Sequence, residues 1–273
     1  MKNLRTEIIK YSRMLNSKKL SALRSGNISS RYKDGFLITP SGKKYSTLKN
    51  KDIIFVSLTG KYDKKKGLPS SEWKFHQDIY NSKKDARAIV HAHSTYATAV
   101  STHKRGIPPF HYMVAMAGGH DIKCANYATF GTRKLSKNIL KALRDRKACL
   151  IANHGQITFE ENLSKAFELA EEVENISLQY ITSHKLGKPK ILSIKEMKKV
   201  GAHHLNGNFI KISTILKKRQ KQLFTLTPQM PRQYLVIKRE FLLFIIWLQW
   251  QEDMTSSVQI MQPMELENCQ KIY

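Results

Sequence analysis

His91, His93, His154 and Glu72 carry side chains that bind divalent cations, and their local settings allow all four to meet. His91 and His93 close the strand-like run Ala88 to His93. Side chains alternate faces along a strand, so the two imidazoles project the same way from one edge. A second apolar run, Ala148 to Ala152, leads into Asn153-His154-Gly155, where the glycine suits a tight turn that leaves His154 at a strand end. Glu72 follows Pro69-Ser70-Ser71 and precedes Trp73-Lys74-Phe75-His76. This reads as a serine-capped helix start with the acid in the first turn, among free backbone N–H groups. Three neutral imidazoles and one displaceable carboxylate form the ligand set of a catalytic zinc, which keeps a position open for substrate. The H-x-H pair alone says little, because ten histidines in 273 residues produce about 0.4 such pairs by chance.

The elements that must position these residues define an α/β class. Leu4, Ile8, Tyr11 and Leu15 form one stripe of an opening amphipathic helix. Strand-like runs follow at Phe36–Ile38, Ile53–Val56, Ala88–His93, Ile122–Ala125 and Ala148–Ile151, with helical stretches near 71–80, 133–146 and 162–185. In the last of these, Leu163, Phe167, Ala170 and Val173 keep the apolar spacing. Glu171, Glu172 and Glu174 fall on other faces and are expected to be solvated rather than to act as paired catalytic carboxylates.

At 273 residues the chain is long enough for one substantial core, and no long Pro/Gly/Ser linker interrupts it before residue 185. The formal net charge is +26. From Gln220 onward, Lys221, Arg232, Lys238, Arg239 and Lys271 balance Glu240, Glu252, Asp253, Glu265 and Glu267, so residues 1–219 carry the whole surplus. Such a field attracts phosphorylated ligands and polyanions. Basic runs interleaved with aromatics are missing, so nucleic acid is not an expected partner, and Lys64-Lys65-Lys66 reads as a solvated loop. Cys124, Cys149 and Cys269 have neither disulfide-framework nor C-x-x-C spacing, which fits a reducing cytoplasm, and the charged N-terminus lacks a secretory apolar segment.

Eight motifs in order carry a resemblance. They are Ser25-Gly26-Asn27-Ile28-Ser29, Leu37-Ile38-Thr39-Pro40-Ser41-Gly42, Leu68-Pro69-Ser70-Ser71-Glu72-Trp73, Val90-His91-Ala92-His93, His111-Tyr112-Met113, Ala117-Gly118-Gly119, Tyr127-Ala128-Thr129-Phe130-Gly131-Thr132-Arg133 and Asn153-His154-Gly155. Together they resemble the class II, zinc-dependent sugar-phosphate aldolases, closest to the branch acting on fuculose phosphate. The resemblance implies a mainly antiparallel central sheet flanked by helices, a homotetramer with active sites at subunit interfaces, and Zn2+ bound by Glu72, His91, His93 and His154. The implied reaction is reversible cleavage of L-fuculose 1-phosphate, or a similar ketose 1-phosphate, to dihydroxyacetone phosphate and an aldehyde. Glu72 is implied as the acid/base and Tyr112, reaching in from a neighbouring subunit, as a second proton-transfer group. Asn27, Ser41, Gly42, Ser70 and Ser71 match the phosphate-binding positions, and Phe130 matches an aromatic of the aldehyde pocket. Arg24 stands where the family has a small hydroxyl residue.

The similarity runs to about Val200, which divides the chain into a catalytic domain, residues 1–200, and a divergent tail, residues 201–273. The tail holds an apolar run, Phe241 to Leu248, too short for a bilayer, which needs roughly 20 such residues. An added helix, an oligomer contact and a frameshifted end without a packing role all remain open for it, and membrane binding is not expected. Two alternative functions also stand beside the aldolase. One is epimerisation or dehydration of another sugar phosphate at the same metal, and the other is a non-catalytic, basic binding protein on the same scaffold.

Overall fold

In the computed structural model, which describes residues 3–200, the chain opens with helix α1 (Leu4–Ser17). Its apolar stripe buries Ile8, Tyr11 and Leu15, and the Asn3 side chain caps its N-terminus. Strands β1 (Asn27–Tyr32), β2 (Gly35–Ile38) and β3 (Ile54–Ser57) form an antiparallel meander. Helix α2 (Trp73–Ser82), strand β4 (Ala88–Ala92) and helix α3 (Thr95–Thr102) follow. Strand β5 (Lys123–Ala125), helix α4 (Arg133–Ala142), the hairpin β6 (Ala148–Ile151) and β7 (Gly155–Glu160), and helix α5 (Leu163–Lys185) come next, and residues 194–200, the last of those described, are helical.

The strands make one seven-stranded sheet in the order β3-β2-β1-β4-β7-β6-β5, antiparallel at every neighbour pair except the parallel β5–β6 edge. Helices cover both faces, so β2, β4 and β6 read as nearly continuous apolar runs rather than alternating ones. Phe36, Ile38, Ile89, Ile151 and Ile157 pack with Phe75 and Ile79 of α2 and Ile139 of α4. Leu37 and Val90 lie on the opposite face with Ile8 and Leu15 of α1 and Phe167 of α5. Burying such side chains contributes roughly 1.5–3 kcal/mol each, which makes these two layers the principal source of stability.

Two strands and one helix depart from the sequence reading. β1 has the polar sequence Asn-Ile-Ser-Ser-Arg-Tyr, yet its first four residues are buried. Its Ser29 is satisfied by side chains of α2, so polarity did not mean exposure here. β7 is set by pairing on both edges, and α3, Thr-Tyr-Ala-Thr-Ala-Val-Ser-Thr, has no apolar stripe to announce it. The two N–H groups at its start are instead bound by Glu174 of α5, through Tyr96 and Ala97 at 2.8 Å each. Glu174 is thus a structural cap rather than the solvated acid expected, and Glu171 pairs with Lys18 at 3.2 Å. Lys64–Lys66 form one exposed 3₁₀ turn capped by Asp63. Cys124 and Cys149 are free thiols. The tail, with Cys269 and the apolar run 241–248, lies outside the described residues. Among those residues no helix is long and apolar enough to cross a membrane.

Candidate metal centre

Backbone close packing sets the positions of the histidines. Asn27 of β1 stands directly opposite His91 of β4, and Ile157 of β7 flanks His91 on the other side. Cross-strand partners share a face, so Asn27 and His91 both point toward the N-terminus of α2. His93 lies one residue beyond β4 and its N–H is held by the Ser21 hydroxyl at 3.0 Å. Gly26, in the left-handed region at φ 76°, sits where a β-carbon would come within 2.6 Å of the His91 carbonyl oxygen.

The turn carrying His154 differs from the sequence expectation. Asn153, not Gly155, takes the left-handed conformation, at φ 54°. Gly155 already belongs to β7, and its missing β-carbon lets β7 approach β4, because an added one would lie 2.4 Å from the Ala92 carbonyl oxygen. Glu72 also differs. It occupies the N-cap of α2, its side chain caps no backbone N–H, and its carboxylate turns to the histidines. The expected serine cap is displaced too: the Ser70 hydroxyl accepts the Glu72 N–H at 3.4 Å.

The four side chains converge, with one ligand atom from each lying within 4.8 Å of the others. The imidazole centroids form a near-equilateral triangle with sides of 4.8, 4.9 and 4.8 Å. Glu72 Oε2 is 3.2 Å from His91 Nε2, and Oε1 is 3.2 Å from His154 Nε2. His91 Nε2 and His93 Nε2 are 3.0 Å apart.

The donor set fits a divalent cation. His91 Nδ1 lies 2.8 Å from the Gln156 carbonyl oxygen, which only accepts, so the ligating form of the ring, with one proton, carries it there and presents Nε2 as a lone pair. That lone pair faces a carboxylate oxygen and a second imidazole nitrogen. Although His154 is near, buried Oε1 of Glu72 accepts no hydrogen bond of acceptable geometry from any described residue. Converging lone pairs on a buried carboxylate repel unless a positive charge lies among them. Burial, reinforced by His91 and His154, pushes the pKa of His93 down to about 3, which leaves it neutral and able to ligate. Burial alone would raise the Glu72 carboxyl, but His91 and His154 outweigh it and hold the group below the ordinary carboxylate range.

A polar cluster that the sequence reading overlooked lies behind Glu72. Asn27 Nδ2 donates to Glu72 Oε2 at 2.9 Å, and Asn27 Oδ1 meets His76 Nε2 in a short contact. His76 Nδ1 is 2.7 Å from Ser29 Oγ, which is 2.8 Å from the Tyr80 hydroxyl. Full burial, followed by the influence of His91, pushes His76 down to about 3, so its ring is neutral.

The other expected site residues form the surroundings. Pro40 and Pro69 bridge their two loops, which brings Ser41-Gly42 beside Ser70-Ser71. The Ser41 N–H is taken by the Leu68 carbonyl at 3.0 Å, which leaves its hydroxyl for a ligand. Gly42 is left-handed, at φ 71°. Arg24 donates to the Gly42 carbonyl at 2.8 Å, so a guanidinium stands at this turn, whereas Lys43 is paired with Asp52. Phe130 is 64% exposed, next to Gly131, where an added β-carbon would lie 3.0 Å from the Ser71 carbonyl oxygen. Tyr112 is 52% exposed on a 3₁₀ turn, its ring tilted against that of His111, and it makes no hydrogen bond to Glu72 or the three imidazoles.

Residues 6–181 match the model of the class II aldolase and adducin N-terminal domain, so the chain belongs to that family, and as a class II aldolase it is a lyase. It is similar to the L-fuculose phosphate aldolase of Escherichia coli strain K12, with 49% identity over 174 residues, 63% of this chain and 80% of that one. It is also similar to the 5-methylthioribulose-1-phosphate/5-deoxyribulose-1-phosphate aldolase of Rhodospirillum rubrum, with 44% identity over 197 residues, 72% of this chain and 89% of that one. A solved structure of an L-fuculose 1-phosphate aldolase superposes with a TM-score of 0.72 at 37% identity, covering 75% of this chain and 97% of the other.

Proposed function

We propose that the chain is a zinc-dependent aldolase that reversibly cleaves L-fuculose 1-phosphate, or a similar ketose 1-phosphate, to dihydroxyacetone phosphate and an aldehyde. The observation that carries this reading is the meeting of three imidazoles and a carboxylate whose lone pairs point at one another. His91, His93, His154 and Glu72 would hold the ion. Zinc bound there would act as a Lewis acid on the substrate's carbonyl and hydroxyl oxygens, offsetting the negative charge that cleavage places on two adjacent oxygens.

The remaining work falls to the protein's own groups. Glu72 carries the proton at the carbon where the bond to the aldehyde breaks or forms, a role suited to a carboxylate that can leave its neighbours and return. Asn27, the hydroxyls of Ser41, Ser70 and Ser71, and the Gly42 turn bind the phosphate. Asn27 has a second amide hydrogen beyond the one on Glu72, so one side chain would link the phosphate to the acid. Phe130 lines the aldehyde pocket. Tyr112 serves as the second proton-transfer group from a neighbouring subunit, which agrees with its exposure in the single chain. A homotetramer in the cytoplasm, with residues 1–200 as the catalytic domain, completes the reading.

The likeness to the Rhodospirillum rubrum enzyme favours a second substrate, a 5-substituted ribulose 1-phosphate. Cleavage beside the phosphorylated three-carbon unit releases dihydroxyacetone phosphate from either sugar, so one coupled assay serves both. Zinc-loaded protein is expected to release it from one sugar at a rate at least about 10²-fold above Glu72→Gln. A wild-type rate no higher than that variant's on both sugars would overturn the reading.

A further inference from the structure

The polar cluster behind Glu72 has a regular construction. Asn27, Ser29 and Arg31 are alternate residues of β1 and lie on one face of the sheet. Glu72 at the cap of α2, with His76 and Tyr80 inside the helix, are four residues apart and lie on one helix face. Two residues of strand advance about 6.7 Å and four of helix about 6 Å, so the two series stay in step over three rungs. Asn27 bridges Glu72 and His76, and Ser29 bridges His76 and Tyr80. Arg31 lies over the Tyr80 ring, 4.9 Å from its centroid, and donates to the Tyr80 carbonyl at 2.7 Å. Asn27, Ser29 and His76 are all buried.

The chemistry of the groups gives this ladder a direction. An ionised carboxylate only accepts, so Asn27 must turn its amide nitrogen to Glu72 and its oxygen to His76. That oxygen requires a proton on His76 Nε2, and the neutral ring then presents Nδ1 as an acceptor. Ser29 must donate to Nδ1, and its oxygen accepts from Tyr80. Every hydrogen bond from Tyr80 onward therefore points toward Glu72, with the Arg31 cation at the far end. Aligned donors in a dry interior polarise one another.

We infer that this ladder orients and stabilises the Glu72 carboxylate, with His76 as a positioning residue for the acid although it touches neither metal nor substrate. The inference rests on the zinc reading of Glu72 and deepens it. The signal is present in the sequence as Glu-x-x-x-His-x-x-x-Tyr on a helix and Asn-x-Ser-x-Arg on a strand, but only the sheet register shows that the two series meet.

The test compares full-length wild type, His76→Phe and His76→Gln. Gln can place an amide N–H where His76 Nε2–H lies, whereas Phe fills the space and donates nothing. Two quantities are read: zinc affinity by competition with a chelator, and kcat and KM for release of dihydroxyacetone phosphate from L-fuculose 1-phosphate. Loss of an orienting partner beyond the ligands typically costs about 10–100-fold, so H76F is expected to lose that much in zinc affinity or kcat, with KM changed less than about threefold. H76Q is expected to stay within about threefold of wild type in all three. Ser29→Ala, a smaller change that breaks the same chain, is expected to lower kcat or zinc affinity by about 3–10-fold and decides the matter if H76F does not fold.

H76F or S29A equal to wild type in both quantities would overturn the inference. So would equal losses in H76F and H76Q, which would mark His76 as a packing residue. Wild-type protein that binds zinc but leaves this sugar phosphate intact would reject the substrate alone, because the zinc affinities still decide the ladder. Wild-type protein that binds no zinc would reject both.

Discussion

The floor and the rim of this site are built differently. The floor consists of Glu72, His91, His93 and His154 with Asn27, His76 and Ser29 behind them, and β1, β4, the β6–β7 turn and the start of α2 fix it within one chain. Register, two close backbone approaches at Gly26 and Gly155, and a chain of hydrogen bonds all constrain it. The proposed rim residues, Tyr112 and Phe130, stand on turns with large aromatic surface in solvent. Exposed aromatics of that size have little to gain in a lone chain, and they suit a surface that another copy or a substrate covers. The floor is therefore a property of the fold, whereas the proposed rim takes its role from the proposed assembly.

The largest expected contrast comes from Tyr112→Phe. Removing one hydroxyl from an exposed ring should leave the unfolding free energy within about 0.5 kcal/mol of wild type. In the proton-transfer role it should lower kcat by about 10²-fold or more, measured by release of dihydroxyacetone phosphate. Unchanged kcat would place the rim outside the chemistry and break the comparison.

Gly155→Ala tests the floor. Its new methyl group would press on the Ala92 carbonyl oxygen and separate β7 from β4 beside the histidines. The expected cost is about 1–3 kcal/mol by urea unfolding, together with weaker zinc binding. Full stability with unchanged zinc affinity would show that the β4–β7 spacing does not set the ligand geometry.

Acid provides the finest test. His76 and His93 are held at about 3 in the fold, against 6.5 in an unfolded chain. Well above pH 6.5 neither state takes a proton and the two groups contribute no pH dependence. Between 6.5 and 3 the unfolded chain binds protons that the fold excludes, so stability falls as pH falls, by up to about 1.4 kcal/mol per pH unit for each imidazole. Glu72, held below its ordinary range, adds to the loss in the acid part of that window. Urea midpoints of the metal-free protein at pH 7.5, 6.5 and 5.5 should drop more across the second interval than across the first, and His76→Gln should reduce the drop. A flat profile would contradict the neutral, buried state of these rings.

The same contrast explains what could be read in the sequence. His91, His93, His154 and Glu72 were legible because strand alternation and motif order both point to them, and β4 and β6 because they are continuous apolar runs. β1 was not, since Ser29 and Asn27 look like loop residues until α2 supplies partners for them. The helix start near Glu72 and the meeting of its carboxylate with the histidines were both legible; what the sequence did not show is that Glu72 is itself the N-cap residue and that its side chain binds no backbone N–H group there. Gly155 suggested a turn, whereas it permits close strand packing, a tertiary demand invisible in local spacing. Tyr112 and Phe130 entered only through the family resemblance.

Metal analysis of the full-length protein, purified without added chelator and paired with X-ray absorption at the zinc edge, tests the central claim most directly. The account predicts one zinc per chain with nitrogen and oxygen ligands at about 2.0–2.2 Å and a clear imidazole signature, all lost in His91→Ala. A wild-type protein that retains no zinc when the metal is supplied, or whose zinc is unaffected by that substitution, would contradict it.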